Sequence, residues 1–186
     1  MSIEQIKTGT LSTDGHDCAF LWLYTMTGKP YAKHLPAGAP SHMPMVLSLL
    51  RWDGMFGTMG GKVDAGESLR EALSREVGEE ADFWLPKDQE LEELGTFLYG
   101  PWHIHSFALE VTFEELLEAR QKAIALNTPE CAGWVLAPAG EYQPSPRVEE
   151  PRGVIAFRAN HFAATAKHEF DALLSLIHKK SAARAH

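Results

Sequence analysis

Residues 60–83 read GGKVDAGESLREALSREVGEEADF, and the fold turns on how this stretch divides. A glycine pair, Gly60-Gly61, precedes a segment with helical periodicity. Counting from Leu69 at about 100° per residue, Ala72, Leu73 and Val77 fall on one apolar stripe with it. Glu76 and Glu80 project into that stripe, with Glu79 at its edge, while Arg70, Glu71, Ser74, Arg75 and Gly78 point the other way. An ordinary amphipathic helix with a solvated acidic side does not explain where Glu76 and Glu80 point. Carboxylates crowded against an apolar stripe repel one another and lose hydration, a cost that falls when they share a divalent cation. Ligation by oxygen alone suits Mg²⁺ or Mn²⁺ rather than zinc. The pattern points to metal-assisted chemistry on phosphates.

Working outward, Cys18 to Met26 (CAFLWLYTM) is a continuous apolar run of strand length, the signature of a strand covered on both faces. A Pro- and Gly-rich stretch from Thr27 to Pro44, holding Lys29, Lys33, His34 and His42, reads as a long loop. Met45 to Trp52 resumes as a strand, and Asp53-Gly54 predicts a hairpin into Met55 to Met59, ahead of the glycine pair. Beyond the helix, Leu91 to Tyr99 and Trp102 to Val111 read as strands separated by Gly100-Pro101. His103 and His105 share a face of the second. Thr112-Phe113-Glu114-Glu115 is a capping box for a helix to about Leu126, and Trp134 to Ala137 fits another strand. Pro138 to Gly153, with four prolines, reads as a second long loop. Apolar periodicity from about Asn160 to Lys179 marks a last helix, with Ser181 to His186 expected to fray. Strands on either side of a central helix, with two further helices, predict an α/β fold in which helices enclose a mixed β-sheet, an α/β/α sandwich.

The 186 residues are one domain's worth, and no internal repeat or composition shift divides residues 1–186 into more. The longest apolar run, Met43 to Leu50, is too short for a membrane span and is interrupted by proline. The N-terminus lacks a basic region followed by an apolar stretch, so the expectation is a cytoplasmic protein with no membrane partner. Cys18 and Cys131 are too few for a disulfide framework and are expected to be buried free thiols. A net charge of −8 argues against broad nonspecific binding of nucleic acid, which depends on Lys and Arg neutralising phosphates.

From Gly61 the chain runs through Glu67 to Arg75-Glu76-Val77-Gly78-Glu79-Glu80, and this spacing resembles the Nudix box. It departs from the family pattern at Asp82, which stands where the box normally has its last glycine. Asp is one of the few residues able to replace glycine at positive φ. The resemblance implies a Nudix-type α/β/α sandwich and hydrolysis of a nucleoside diphosphate linked to another group. It implies Glu76, Glu79 and Glu80 as ligands of Mg²⁺ or Mn²⁺, with Glu79 and Glu80 in catalysis. Gly61, or its neighbour Gly60, would offer a backbone carbonyl, and Glu67 and Arg75 would form a supporting salt bridge.

Shorter stretches outside the box, among them Arg51-Trp52-Asp53-Gly54 and Thr112 to Leu117, are similar to the snoRNA-decapping and inosine-diphosphatase branch of the family. Members of that branch act on RNA caps and on inosine or related purine nucleotides, and they tend to be homodimers. On this resemblance Glu169 falls where the branch carries a polar residue implicated in catalysis. It is a candidate ligand or general base, the alternative being an exposed helix glutamate. A purine needs an aromatic or apolar slot, for which Trp52, Trp102, His105, Asn160 and Phe162 are the candidates. The acidic charge favours a small nucleotide or a cap over a long RNA, although an RNA 5′ end is an implied partner. The same box is compatible with hydrolysis of ADP-ribose, a nucleotide sugar or NAD, and the fold with a non-catalytic nucleotide-binding module.

Overall fold

The apolar run after Cys18 forms the axis of the molecule. The computed structural model describes residues 3–29, 40–129, 131–142 and 152–184. Within them the elements run β1 (Glu4–Ile6), β2 (Asp17–Gly28), β3 (Met43–Arg51), β4 (Phe56–Gly57), β5 (Met59–Lys62), α1 (Leu69–Ala81), β6 (Glu92–Tyr99), β7 (Trp102–Glu110), α2 (Phe113–Leu126), β8 (Cys131–Pro138), β9 (Glu141–Tyr142), β10 (Arg152–Gly153), α3 (Val154–Arg158) and α4 (Ala166–Arg184). Lys33, His34 and most of the second Pro-rich stretch lie outside the described residues.

The main sheet follows the order β1-β6-β7-β2-β3-β4, with β5 on β2 and β8 on β3. It is mixed because β2 runs parallel to β7, from Asp17 opposite His103 to Tyr24 opposite Glu110, while its other pairings are antiparallel. Along its remaining edge β2 meets β5 at Cys18 to Leu21 and β3 from Tyr24 onward. Both faces of β2 are covered, which is why its sequence shows no alternation. Leu21 and Leu23, with Phe107 and Leu109 of β7, pack with Leu73 and Val77 of α1 and Leu116 of α2. Trp22, Tyr24 and Ala108 pack on the opposite side with Phe157 of α3 and Phe170, Leu173 and Ile177 of α4. Full burial of each leucine, isoleucine, valine or phenylalanine side chain among them contributes about 1.5–3 kcal/mol. The arrangement is the expected α/β/α sandwich with a mixed sheet.

Several boundaries differ from the sequence reading. The glycine pair, which follows the predicted Met55 to Met59 strand in the sequence, is itself part of β5 and paired with β2. The stretch after the second Pro-rich segment contains a short helix, α3, that periodicity missed because it spans little more than one turn. The last helix begins at Ala166 rather than Asn160 and continues to Arg184, past the point where fraying was expected. Asn160 and Phe162 therefore precede it, in an irregular segment where Phe162 bridges Phe56 and Ala164 adopts a φ of 44°. Cys18 and Cys131 are free thiols, half-buried rather than buried. Burial, with Asp17 and Glu76 nearby, pushes the Cys18 thiol up to about 11. Among the described residues no helix is long and apolar enough to cross a membrane.

The carboxylate helix is bounded as its sequence dictates. Ser68 caps its N-terminus in a reciprocal box with Glu71, and Asp82 ends it at φ 46° and ψ 38°. The Asp82 amide donates to the Gly78 carbonyl at 3.1 Å. Asp82 thus takes the left-handed conformation that a glycine adopts without cost. Replacing it tests that reading. Asp82→Ala is expected to lower stability to urea by about 1 kcal/mol, while Asp82→Gly stays within about 0.5 kcal/mol of the parent. Equal losses in both would contradict a backbone origin.

Candidate active site

Two glycines bring a strand against the carboxylate face of α1. At Gly61 a Cβ atom would lie 2.6 Å from Glu76 Oε1, so the Glu76 carboxylate occupies the space a side chain would fill. At Gly60, where φ is 131°, a Cβ would lie 2.2 Å from the Ala19 carbonyl oxygen of the neighbouring strand. The Gly60 amide donates to Glu80 Oε2 at 2.8 Å. One glycine therefore seats Glu76 and the other anchors Glu80.

Arg75 ties the strand, the following loop and the helix together. Its Nε and Nη2 donate to the two oxygens of Glu67, each at 3.0 Å, and Nη2 also donates to the Lys62 carbonyl at 3.0 Å. Nη1 donates to Glu76 Oε1 at 2.8 Å and lies 3.7 Å from Glu79. Glu67 and then Glu76 raise the Arg75 pKa and hold the guanidinium charged. Arg75 in turn keeps the Glu67 carboxyl below the usual carboxylate range, helped by the Asp64 amide. Such bidentate geometry fixes direction as well as charge. The Glu76 side chain is 18 % exposed and that of Glu79 63 % exposed.

The donor set here is of oxygens alone, which fits a hard divalent cation. Among the described residues no three acidic, imidazole or thiol side chains form a ready-made metal cage. Glu76 is turned to Arg75, Glu80 to the Gly60 amide, and Glu79 is solvated. Mg²⁺ keeps much of its water and commonly needs only one or two carboxylates with substrate phosphates, so an open acidic face is compatible with it.

A cavity of about 360 Å³ opens beside Gly60 and Glu80, with Arg51, Phe20 and Trp102 in its walls and Glu169 at its edge. Glu169 is 2 % exposed, which excludes the exposed helix glutamate. Its Oε2 accepts from Trp22 Nε1 at 3.3 Å and from Ser106 Oγ at 3.0 Å, and its Oε1 from Thr165 Oγ1 at 2.6 Å. Burial pushes this carboxyl above the usual carboxylate range, against the pull of those three donors.

Of the five residues expected around a base, only Trp102 lines this cavity. His105 is a correction: it lies on the other face of β7, where Nε2 meets Asp17 at 2.9 Å and Nδ1 meets Thr96 at 3.0 Å. Parity along the strand put it with His103 and could not say which face carries the cavity. Trp52 lies outside this cavity, 74 % exposed with its Nε1 donating to the Pro129 carbonyl. Phe162 belongs to an aromatic cluster, stacked on Phe170 at 5.9 Å and edge-on to Phe157. Asn160 donates to the Phe157 carbonyl at 2.8 Å and lines a separate groove with Met43 and Met45. Phe20, Arg51 and Tyr99 were missed as cavity residues. Tyr99 was within reach of sequence reasoning, since it faces Trp102 directly across the Gly100-Pro101 turn.

The glycine contacts make a stability prediction. Gly60→Ala strikes backbone at a φ that side chains resist and should cost more than about 2 kcal/mol in urea unfolding. Gly61→Ala meets only the movable end of Glu76 and should cost less than about 1 kcal/mol. Equal losses would mean that the Glu76 carboxylate is as immovable as the backbone.

Comparison with known proteins bears on the family and the fold. A family model described as the NUDIX domain matches residues 45–157. A U8 snoRNA-decapping enzyme from Homalodisca vitripennis is 36 % identical over 85 residues, 42 % of this chain and 44 % of that protein, so the match spans less than half of the relative's length. The crystal structure of a mutT/nudix family protein from Listeria innocua superposes with a TM-score of 0.59, covering 92 % of this chain and 98 % of that one at 17 % identity. At that identity the likeness is one of fold.

Proposed function

This chain belongs to the Nudix family, and from that premise we propose that it is a divalent-metal-dependent pyrophosphohydrolase acting on nucleotides. The substrate we assign is a purine nucleoside di- or triphosphate of the inosine type, or the capped 5′ end of an RNA, cleaved at a phosphoanhydride bond. The observation that carries the proposal is the seating of Glu76 and Glu80 against the glycine strand, next to a cavity sized for a small ligand. The similarity to a snoRNA-decapping enzyme supports the choice of substrate. The net charge of −8 supports a nucleotide or cap over a long RNA.

In this reading Glu76, Glu79, Glu80 and the Gly61 carbonyl hold Mg²⁺ or Mn²⁺. When bound, the cation supplies charge neutralisation at the phosphate oxygens and makes water more acidic. Arg75, gripped by Glu67, keeps Glu76 turned toward the glycine strand. Glu80 stays fixed through the Gly60 amide, so the acidic face keeps its place when substrate arrives. The cavity takes the nucleoside, and its wall of Phe20, Trp102 and Ile104 excludes water from one side. Glu169 is a further carboxylate of the site, lining the cavity together with Glu80. Burial holds its carboxyl above the ordinary range, which makes it a better proton acceptor than a solvated glutamate.

The experiment is product formation with Mg²⁺ or Mn²⁺ over IDP, ITP, GDP, ADP-ribose, NAD and a capped RNA. Preferential hydrolysis of the inosine nucleotides or the cap is expected. Preference for ADP-ribose or NAD would keep the acidic site and overturn the substrate, and no turnover of any would favour a binding module. Glu79→Gln and Glu80→Gln should each lower kcat by about a hundredfold or more with the fold intact, since transition-state charge stabilisation is the main source of rate. Unchanged turnover in both would remove the metal assignment. Glu169→Gln should reduce the rate less severely.

A further inference from the structure

Trp102 stands out because two ring contacts and its place in the strand hold it before any ligand arrives. The His16 ring meets it edge-on, with centroids 4.9 Å apart at 85°. The Lys62 ammonium lies 5.8 Å from its centroid. Its backbone pairs with Tyr99 across the Gly100-Pro101 turn, and Tyr99 also lines the cavity. An aromatic side chain held in this way loses little freedom when a flat ligand settles on it.

The neighbouring groups indicate what that ligand would be. Lys62 follows the glycine pair in β5 and pairs with Cys18, which pairs on its other side with Ile104 of β7, two residues from Trp102. A row across three strands therefore leads from the acidic helix to the indole. A phosphate near Glu80 and a ring on Trp102 would lie at opposite ends of it, with the Lys62 ammonium reaching from the β5 end over the indole. Around Trp102 the cavity is lined by Phe20, Tyr99 and Ile104. Its two threonine hydroxyls already donate elsewhere, Thr58 to the Leu21 carbonyl and Thr165 to Glu169. The wall beside the indole is rich in flat apolar surface, with the Tyr99 hydroxyl and the Arg51 guanidinium as polar groups further along the same cavity.

Resting on the reading of this cavity as a nucleotide site, we propose that Trp102 is a specificity-determining residue that stacks the substrate's nucleobase. Recognition is by the face of the base, so it separates nucleotides from base-free sugar phosphates. Lys62, which sits over the indole, positions the ring and places a positive charge beside the phosphates.

Equilibrium titration of IMP and of ribose 5-phosphate into the wild-type protein, Trp102→Ala and Trp102→Phe tests the proposal without depending on turnover. Wild type is expected to bind IMP about tenfold or more tightly than ribose 5-phosphate, the scale of one base stacked on an aromatic ring. Trp102→Ala should lose most of that difference and Trp102→Phe should recover part of it, with urea unfolding run alongside to establish that both variants fold. With a hydrolysed nucleotide the Ala variant should raise KM by a similar factor and change kcat far less. Equal weakening of both ligands, no weakening of IMP, or no binding of IMP to wild type would overturn the proposal. Failure of the wild-type protein to hydrolyse any nucleotide would count against the enzymatic reading alone, because the two titrations still decide the stacking.

Discussion

The structure depends on two glycines that let a strand run between the central strand and the carboxylate helix. At Gly60 a side chain would meet the Ala19 carbonyl, and at Gly61 it would meet Glu76. With a Cβ atom at Gly60 β5 could not pair with β2 as it does, and a Cβ at Gly61 would displace the Glu76 carboxylate of α1. Everything chemical about the molecule follows from that approach: Glu76 is seated, Glu80 receives a backbone amide, and Arg75 reaches the Lys62 carbonyl while holding Glu67. The glycines are packing elements first, and the site is a consequence of how tightly they pack.

Two carboxylates bordering the cavity live in different surroundings. Glu80 belongs to the open acidic face and takes a hydrogen bond from the strand. Glu169 is enclosed by Trp22, Ser106 and Thr165, which satisfy it without removing the cost of burial. Unequal environments of this kind let one site hold charge and exchange protons with different groups.

Much of the site was legible because α1 obeys simple rules. Its periodicity, the Ser68 cap and the tolerance of Asp82 for positive φ all appear in the structure as the residues imply. The burial of Glu169 was not read, since an exposed glutamate stood as the alternative, although Ala166, Glu169, Phe170, Leu173 and Ile177 form one helical stripe and all five are buried. What the sequence hid was long-range. Gly60 and Gly61 give no strand signal because glycine marks turns, while their pairing with Phe20 and Ala19 comes from about 40 residues away. Phe162 fitted the helical period by coincidence and is held instead by Phe56, Phe157 and Phe170. His105 showed its strand parity, but the ligand-facing side of β7 is set by where α1 and α4 pack.

The most direct test of the central claim is a titration of Mn²⁺ followed by electron paramagnetic resonance, in the wild-type protein and in Glu76→Gln. The account predicts that wild type binds Mn²⁺ and that Glu76→Gln weakens binding by about tenfold or more. Equal affinity in the two proteins would contradict it, since the carboxylate seated in the Gly61 cradle would then have no part in holding a cation.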